Sequence, residues 1–527
     1  MMTKGNLILL LLFLFAMFAM SGQLWAQAKL PTGFDAYVSK VLSTFRVPGM
    51  SIAVVKDGKV LLARGYGVKE SGRPDPVDDR TLFPIASNSK AFTAAALQML
   101  VEDRKLTWED PVVTHLPWFR MMDPWVTSQI TVRDILVHNS GIAAYGADIL
   151  NFPPTDYTRK QILEKVRQLP LTHSFRSHYA YDNILYLAAG EIVRTVSGME
   201  WEDFIRTRIL QPIGMTGTIS RFSLLPGETN RASGHGILEG KLAVYDQALQ
   251  QDIGDAGDPA GGIASNATDM AKWLMAQLDS GRASNGTRLW SSKGTEELWK
   301  VVTPIPVSKT PEWLAPAQND FQGYALGLRA YNYGAYKIVG HGGKLDGFVS
   351  QVTMVPSLRL GIAVLTNQES TGAYWSVIHT LLDHFLQNKP FDWAQGFLRS
   401  QDSAVARMDR GRQANLSVAP ATKAPASLPA TEYAGTYRDT LYGDVQVRLE
   451  EKGPVLYFMH SKQLVADLEH AHHDVYVAHF RNRSLKADAW TTFTIGPDAR
   501  PFSMALKVID PDSDLGFDGL LFIRQQP

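Results

Sequence analysis

The chain has 527 residues, with 52 lysines and arginines balancing 52 aspartates and glutamates, 45% apolar residues and no cysteine. That length points to two or three domains, and the charge balance removes the basic field that nucleic-acid binding needs. With no cysteine there is neither a disulfide nor a lipid-modified cysteine anchor, so stability rests on the core.

The N-terminus reads MMTKGNLILLLLFLFAMFAMSGQLWAQAKLP: Lys4, an apolar run from Leu7 to Met20, then a small-x-small site at Ala26-Gln27-Ala28. The run is short for a membrane span, so residues 1–28 are expected to be a secretory signal peptide. The mature protein is then periplasmic or secreted, with no membrane span after cleavage. Phe34 to Phe45 reads as an amphipathic helix ended by Val47-Pro48-Gly49. In 50-MSIAVVKDGKVLLARGYGV-68, two β-rich runs flank Asp57-Gly58, a hairpin signal. Ser87 to about Leu278 is helical and loop-rich. Strands return over 336–343, 348–355 and 359–367, with a Pro356-Ser357 turn, and a helix follows from about Ala373 to Leu386. The expected domain, residues 29–395, is α+β: an antiparallel sheet of strands from both ends, flanked by helices, with a largely helical insertion. Residues 396–430 are expected to be helix and Ala/Pro-rich linker, ending in NLSVAPATKAPASLPA. Runs such as VQVRLE, VLYFMH and DVYVAHF alternate at strand period, which makes 431–527 a small all-β accessory domain.

The segment 81-TLFPIASNSKAFTAAAL-97 places Ser87 and Lys90 at the mouth of an apolar helix. A lysine costs free energy there unless something uses it. Positions i and i+3 share a helix face, so the lysine can activate the serine hydroxyl, a weak nucleophile by itself. The competing reading is an N-cap serine and a snorkelling lysine. In 174-SFRSHYAYDNILYLAAGEIV-193, Tyr181 and Asn183 precede a helix. The phenol can act as a base if a neighbouring cation lowers its pKa from about 10, and Asn183 can orient a substrate amide and hold Lys90. The bland alternative for Tyr181 is a packing residue. The glycines of 340-GHGGKLDGF-348 let a ligand approach a strand edge. No serine has the G-x-S-x-G context of a nucleophile elbow. His470, His472 and Asp474 alternate as a strand-borne metal set would, but a polar strand face accounts for them more simply. No metal or cofactor is expected.

Together and in this order, Ser87-Asn88-Ser89-Lys90, Tyr181-Asp182-Asn183 and His341-Gly342-Gly343 resemble the three motifs of the serine β-lactamase and penicillin-binding-protein superfamily. The likeness is nearest to class C β-lactamases and their esterase and D-peptidase relatives. Further similarity lies in 46-RVPGMSIAVVKDGKV-60, 106-LTWEDPVVTHLP-117, 131-TVRDILVHNSGI-142 and 259-PAGGIASNATDMAKWL-274. The resemblance implies a β-lactamase/transpeptidase-like fold in which Ser87 is acylated and Lys90 and Tyr181 relay its proton. The backbone N–H groups of Ser87 and Lys344 would form the oxyanion hole, and Asn183, His341, Gly342 and Gly343 would bind substrate. Histidine replaces the lysine that leads the third motif in the β-lactam enzymes. Neutral near pH 7, it favours esters, amides or peptides without a carboxylate beside the scissile bond over penicillins. The expected function is an exported serine hydrolase acting on an ester, amide or D-amino-acid peptide, with weak β-lactam hydrolysis at most. The alternatives are a class C-type β-lactamase or a penicillin-binding sensor that acylates with little turnover. The tail carries none of these motifs and is expected to be dispensable for a small ester. The sequence leaves the oligomeric state open.

Overall fold

The computed structural model describes residues 28–246, 254–418, 424–513 and 515–526, so the expected leader lies outside the described residues except for its last position. Helix α1 (Phe34–Phe45) turns Phe34, Val38, Val41 and Phe45 inward at helical spacing. Strands β1 (Gly49–Lys56) and β2 (Lys59–Gly67) form the hairpin. Its turn takes positive φ at both Asp57 and Gly58, the geometry that matches strand twist. The distal strands are β3 (Thr303–Pro304), β4 (Gln322–Tyr324), β5 (Arg329–Tyr333), β6 (Tyr336–Leu345), β7 (Phe348–Val355) and β8 (Leu360–Thr366). They join the hairpin in one eight-stranded antiparallel sheet of order β2-β1-β8-β7-β6-β5-β4-β3. The expected sheet of sequence-distant strands is therefore present, closed by β1 against β8 from Met50↔Thr366 to Lys56↔Leu360.

Both sheet faces are covered. On one lie α1 and α5 (Thr371–Leu386), where Phe45, Val377, Ile378 and Leu381 meet Ile52, Val54, Ile362 and Val364. On the other lie α2 (Ser89–Glu102), α3 (Ile184–Ser197) and α4 (Ala267–Leu278). Every residue of α2 from Ser89 to Leu100 is buried. Its alanines let neighbouring elements approach closely, and Phe92 stacks on Trp273 with ring centroids 3.8 Å apart. Each large apolar side chain removed from water here stabilises the fold by about 1.5–3 kcal/mol. That burial holds the helix whose first turn carries the reactive groups.

Helix α6 (Trp393–Leu416) leads toward the tail, which folds as a closed eight-stranded barrel from Gly435–Asp439 to Phe522–Arg524. The barrel docks on the first domain. Tyr157 OH donates to the Tyr442 carbonyl at 2.6 Å, Ser461 Oγ to that of Pro154 at 2.8 Å, and Lys486 Nζ sits between Asp512 (2.7 Å) and Glu369 (3.5 Å). Asp474 accepts from Ser427 and Tyr433. Among the described residues no cluster of histidine and acidic side chains is arranged to hold a metal, and no helix is long and apolar enough to cross a membrane.

Candidate active site

Ser87 lies in a 3₁₀ turn, Ala86–Asn88, that runs into α2. Ala86 has φ 46°, a left-handed conformation that strains a residue with a Cβ and turns the following serine out of the helix line. The turn is pinned from the sheet: Asn88 Nδ2 donates to Ser350 Oγ at 2.8 Å, and Ser350 Oγ donates to the Ile85 carbonyl at 2.8 Å. Strand β6 passes directly alongside. A Cβ on Gly343 would lie 2.2 Å from the Ile85 carbonyl oxygen and 2.6 Å from Ser350 Oγ, so glycine is what allows the Gly343-Lys344 backbone to reach the nucleophile turn.

Lys90 is wholly buried. Its Nζ donates to Asn183 Oδ1 at 2.7 Å and to the Ala260 carbonyl at 2.8 Å, and it stands 3.1 Å from Ser87 Oγ. Asn183 Nδ2 donates to Asp148 Oδ2 at 2.7 Å, which fixes the amide so that its oxygen faces the lysine. Burial lowers the Lys90 pKa from 10.5 to about 7, opposed by the carboxylates of Asp148 and Asp182. A neutral amine has two hydrogens and one lone pair. With the hydrogens on Asn183 and Ala260, the lone pair faces Ser87. Tyr181 OH donates to Ser87 Oγ at 2.9 Å. Its pKa is raised, with burial the largest cause and outweighing the opposing pull of Arg329. The condition under which this phenol would act as a base, a cation that lowers its pKa, is not met: desolvation outweighs Arg329, and the phenol keeps its proton at neutral pH.

His341 is 3% exposed. Tyr324 OH lies 2.8 Å from Nε2 and the Gly342 carbonyl 2.5 Å from Nδ1, so Nδ1–H donates to the carbonyl and Nε2 accepts from the phenol. Burial, then the charges of Arg329 and Lys90, hold the imidazole well below 6.5. The expected neutrality has a stronger basis than the residue type, but both ring nitrogens are already engaged within the protein. Gly342 and Gly343 line the cleft beside it.

Four residues that sequence reasoning missed complete the site. His138 accepts the Asp182 N–H through Nδ1 at 3.1 Å, and its ring packs 4.2 Å from that of Tyr181. Burial holds it well below its usual value, so it backs the phenol as a neutral ring. Its signal was the segment 131-TVRDILVHNSGI-142. Ala260 acts through a backbone carbonyl, which no side-chain pattern shows, and Asp148 opens a short 3₁₀ turn, Asp148–Leu150, that carries no motif. Arg329, at the start of β5, donates from Nη2 to Tyr179 OH at 2.8 Å and lies over the Tyr179 and Tyr324 rings at 5.6 and 6.0 Å.

These groups open into a cavity of about 1190 Å³, larger than most small-molecule sites. Phe152, Pro154, Phe222, Leu225 and Phe348 supply apolar wall, and Gln463, Leu515 and Asp518 come from the barrel. The tail, though it carries no motif, forms part of the cleft.

The Beta-lactamase family model matches residues 34–385, and a domain of unknown function, DUF3471, matches 419–520. The chain is 30% identical over 446 residues to unguisins hydrolase ungD' of Aspergillus campestris, covering 80% of this chain and 79% of that one. The octameric penicillin-binding protein homologue from Pyrococcus abyssi superposes with a TM-score of 0.57 at 20% identity, over 93% of this chain and 99% of the other. A class C beta lactamase from Rhodobacter sphaeroides does so with a TM-score of 0.53 at 19% identity, over 67% and 100%. These two likenesses are of fold, whereas the family match spans the sheet and all three motif segments. The chain belongs to the beta-lactamase family and is a serine hydrolase.

Proposed function

We propose that this protein is an exported hydrolase that forms an acyl-enzyme on Ser87 with esters, amides or peptides, D-amino-acid peptides included. The observation that carries the reading is the convergence on Ser87 Oγ of Lys90 Nζ at 3.1 Å and Tyr181 OH at 2.9 Å. Neutral Lys90 takes the serine proton as Oγ attacks the carbonyl carbon. The N–H groups of Ser87 and Lys344 hold the oxyanion, where preorganised donors act on charge that develops in the transition state. The lysine's extra proton then passes through the Tyr181 hydroxyl to the departing alkoxide or amine. Water enters, gives a proton to Lys90 and releases the acyl group, and Ser87 recovers its hydrogen. The protonated phenol suits it to relaying a proton, and the depressed lysine suits it to accepting one near neutrality.

His341 is part of the framework here: it ties β6 to Tyr324 and gives the substrate no charge. The apolar width of the cleft favours an acyl donor bulkier than a penicillin. Incubation with an activated ester followed by intact-mass analysis tests the reading. The wild type should gain one acyl group and lose it with time, and Ser87→Ala should gain none.

A further inference from the structure

Lys90 gives one hydrogen to the Ala260 carbonyl, so the base is only as well placed as the helical turn Asp258–Gly261 that carries this carbonyl. That turn is held on several sides. Thr93 Oγ1 donates to the Pro259 carbonyl at 2.7 Å, and the Ile263 N–H donates to Ser89 Oγ at 3.0 Å. Arg159 donates to the carbonyls of Asp255 at 2.9 Å and Ala256 at 3.0 Å. A Cβ on Gly190 of α3 would lie 2.3 Å from Pro259 Cγ, so the turn sits tight against that helix. At its head stands Asp258, 1% exposed, whose Oδ2 accepts the Phe222 N–H at 3.4 Å.

The carboxyl groups of Glu191, Glu202, Asp255 and Asp258 meet the guanidinium groups of Arg159, Arg194 and Arg221 behind this turn. Arg159 pairs with Glu202 at 2.6 Å and Glu191 at 3.8 Å, and Arg194 with Glu191 at 2.7 Å. Arg221 pairs with Asp255 at 3.1 Å and Glu202 at 3.7 Å. The arginines are thus matched by the other carboxylates, and among the described residues Asp258 makes no ion pair. A buried carboxylate without a partner is costly, so the group takes a proton instead. Burial, then the charges of Glu202 and Asp255, push its pKa well above the usual carboxylate range, with Arg159 opposing. A neutral acid still accepts the Phe222 N–H and brings no charge to the turn.

We infer that Asp258 is a positioning residue: as a neutral carboxylic acid it holds the turn that presents the Ala260 carbonyl to Lys90. The inference rests on the acyl-enzyme reading above, in which Lys90 is the base, and adds a residue that acts through it. The carbonyl fixes where one hydrogen of the amine goes, and so where the lone pair points. Ionised, the same carboxyl would add an unpaired charge beside Glu202 and Asp255 and loosen the turn.

The test compares Asp258→Leu, which removes the acceptor, with Asp258→Asn, a neutral side chain of the same shape that keeps it. The first arm follows kcat/KM for a neutral activated ester from pH 5 to 9. Asp258→Leu should lose about ten- to a hundredfold, the scale on which a small misplacement of a catalytic group is felt. Its acid limb should also move to lower pH, because the Lys90 ammonium loses a carbonyl acceptor. Asp258→Asn should recover most of the rate and return the limb to its wild-type place. The second arm measures the midpoint of urea unfolding at pH 5 and pH 8. The folded wild type keeps a proton on Asp258 that the unfolded chain releases above the usual carboxylate pKa, so stability is lost as the pH rises. Asparagine has no proton to release. The Asp258→Asn midpoint should therefore exceed that of the wild type by a margin that widens from pH 5 to pH 8. A margin that stays constant or shrinks overturns the neutral assignment, even where the leucine variant does not fold. An Asp258→Leu enzyme whose limb stays in place overturns the positioning role, whatever its rate, and so does an asparagine variant no faster than leucine. A wild type with no acid limb removes Lys90 as the base, and the proposed function falls together with the inference. A wild-type limb that leucine leaves unmoved refutes the Asp258 assignment alone.

Discussion

Replacing Asp148 by asparagine should move the acid limb of the pH profile to lower pH. Lys90 falls from 10.5 to about 7 because burial strips water from its ammonium, a difference of about 5 kcal/mol between its two forms. Asp148 works against that fall, because a carboxylate near the ammonium favours the charged form. Two 2.7 Å hydrogen bonds across the Asn183 amide connect Lys90 Nζ to Asp148 Oδ2, which separates the charges by about 7 Å. At an effective dielectric constant near 20 the attraction is about 2.4 kcal/mol, and solvent in the open cleft reduces it to roughly 1–1.5 kcal/mol, or about one pK unit. Asparagine can still accept from Asn183 Nδ2, so the amide stays oriented while the charge is lost. The assay is kcat/KM for a neutral activated ester from pH 5 to 9, which reports groups of the free enzyme. Wild-type activity should fall as the pH drops through about 7, where Lys90 gains its proton and loses the lone pair. In Asp148→Asn the same fall should occur about one unit lower. A limb that stays in place or moves to higher pH would refute Lys90 as the titrating base.

Lys90→Ala and Tyr181→Phe should each slow acylation by about two to four orders of magnitude. Because both act on one proton, the double variant should fall well short of their product, and multiplicative losses in stopped-flow acylation would show that they share no relay. Gly343→Ala would drive a methyl group against the Ile85 carbonyl, so it should cost about 1–3 kcal/mol in denaturant unfolding and sharply reduce acylation; an unchanged enzyme would mean that β6 does not need its close approach to the nucleophile turn. Since His341 stays neutral at pH 6, lowering the pH from 7 to 6 should not raise the kcat/KM of penicillins relative to neutral esters; a rise would show that the imidazole titrates toward substrate. Deleting residues 431–527 removes the Gln463 and Leu515 wall and should raise KM for bulky acyl peptides while small-ester turnover persists. Loss of small-ester turnover in a soluble, folded truncation would place part of the chemistry in the barrel.

Much of the fold was legible because its signals are local. The Asp57-Gly58 turn, the spacing of Phe34, Val38, Val41 and Phe45, and the period-2 runs of the tail each depend on a few neighbouring residues. The closure of the tail into a barrel depends on pairing Tyr437 with Arg524, which no local pattern contains. The site divides in the same way. Ser87 and Lys90 are three residues apart, and Tyr181 stands at a helix mouth. Arg329 enters from another strand, Ala260 contributes a carbonyl, and Leu515 belongs to another domain. The direction of the Tyr181 shift was left open because it depends on how much water reaches the phenol, a property of the packed molecule. A burial that raises the tyrosine and lowers the lysine reverses the roles that unperturbed values assign.

The central claim is that Ser87, activated by neutral Lys90, becomes acylated, and rapid-quench mass spectrometry of the protein mixed with an activated ester at pH 8 tests it most directly. The account predicts a single acyl adduct on the peptide containing Ser87, formed quickly in the wild type, slowly in Lys90→Ala and not at all in Ser87→Ala. An adduct that persists in Ser87→Ala, or that maps to another residue, would contradict it.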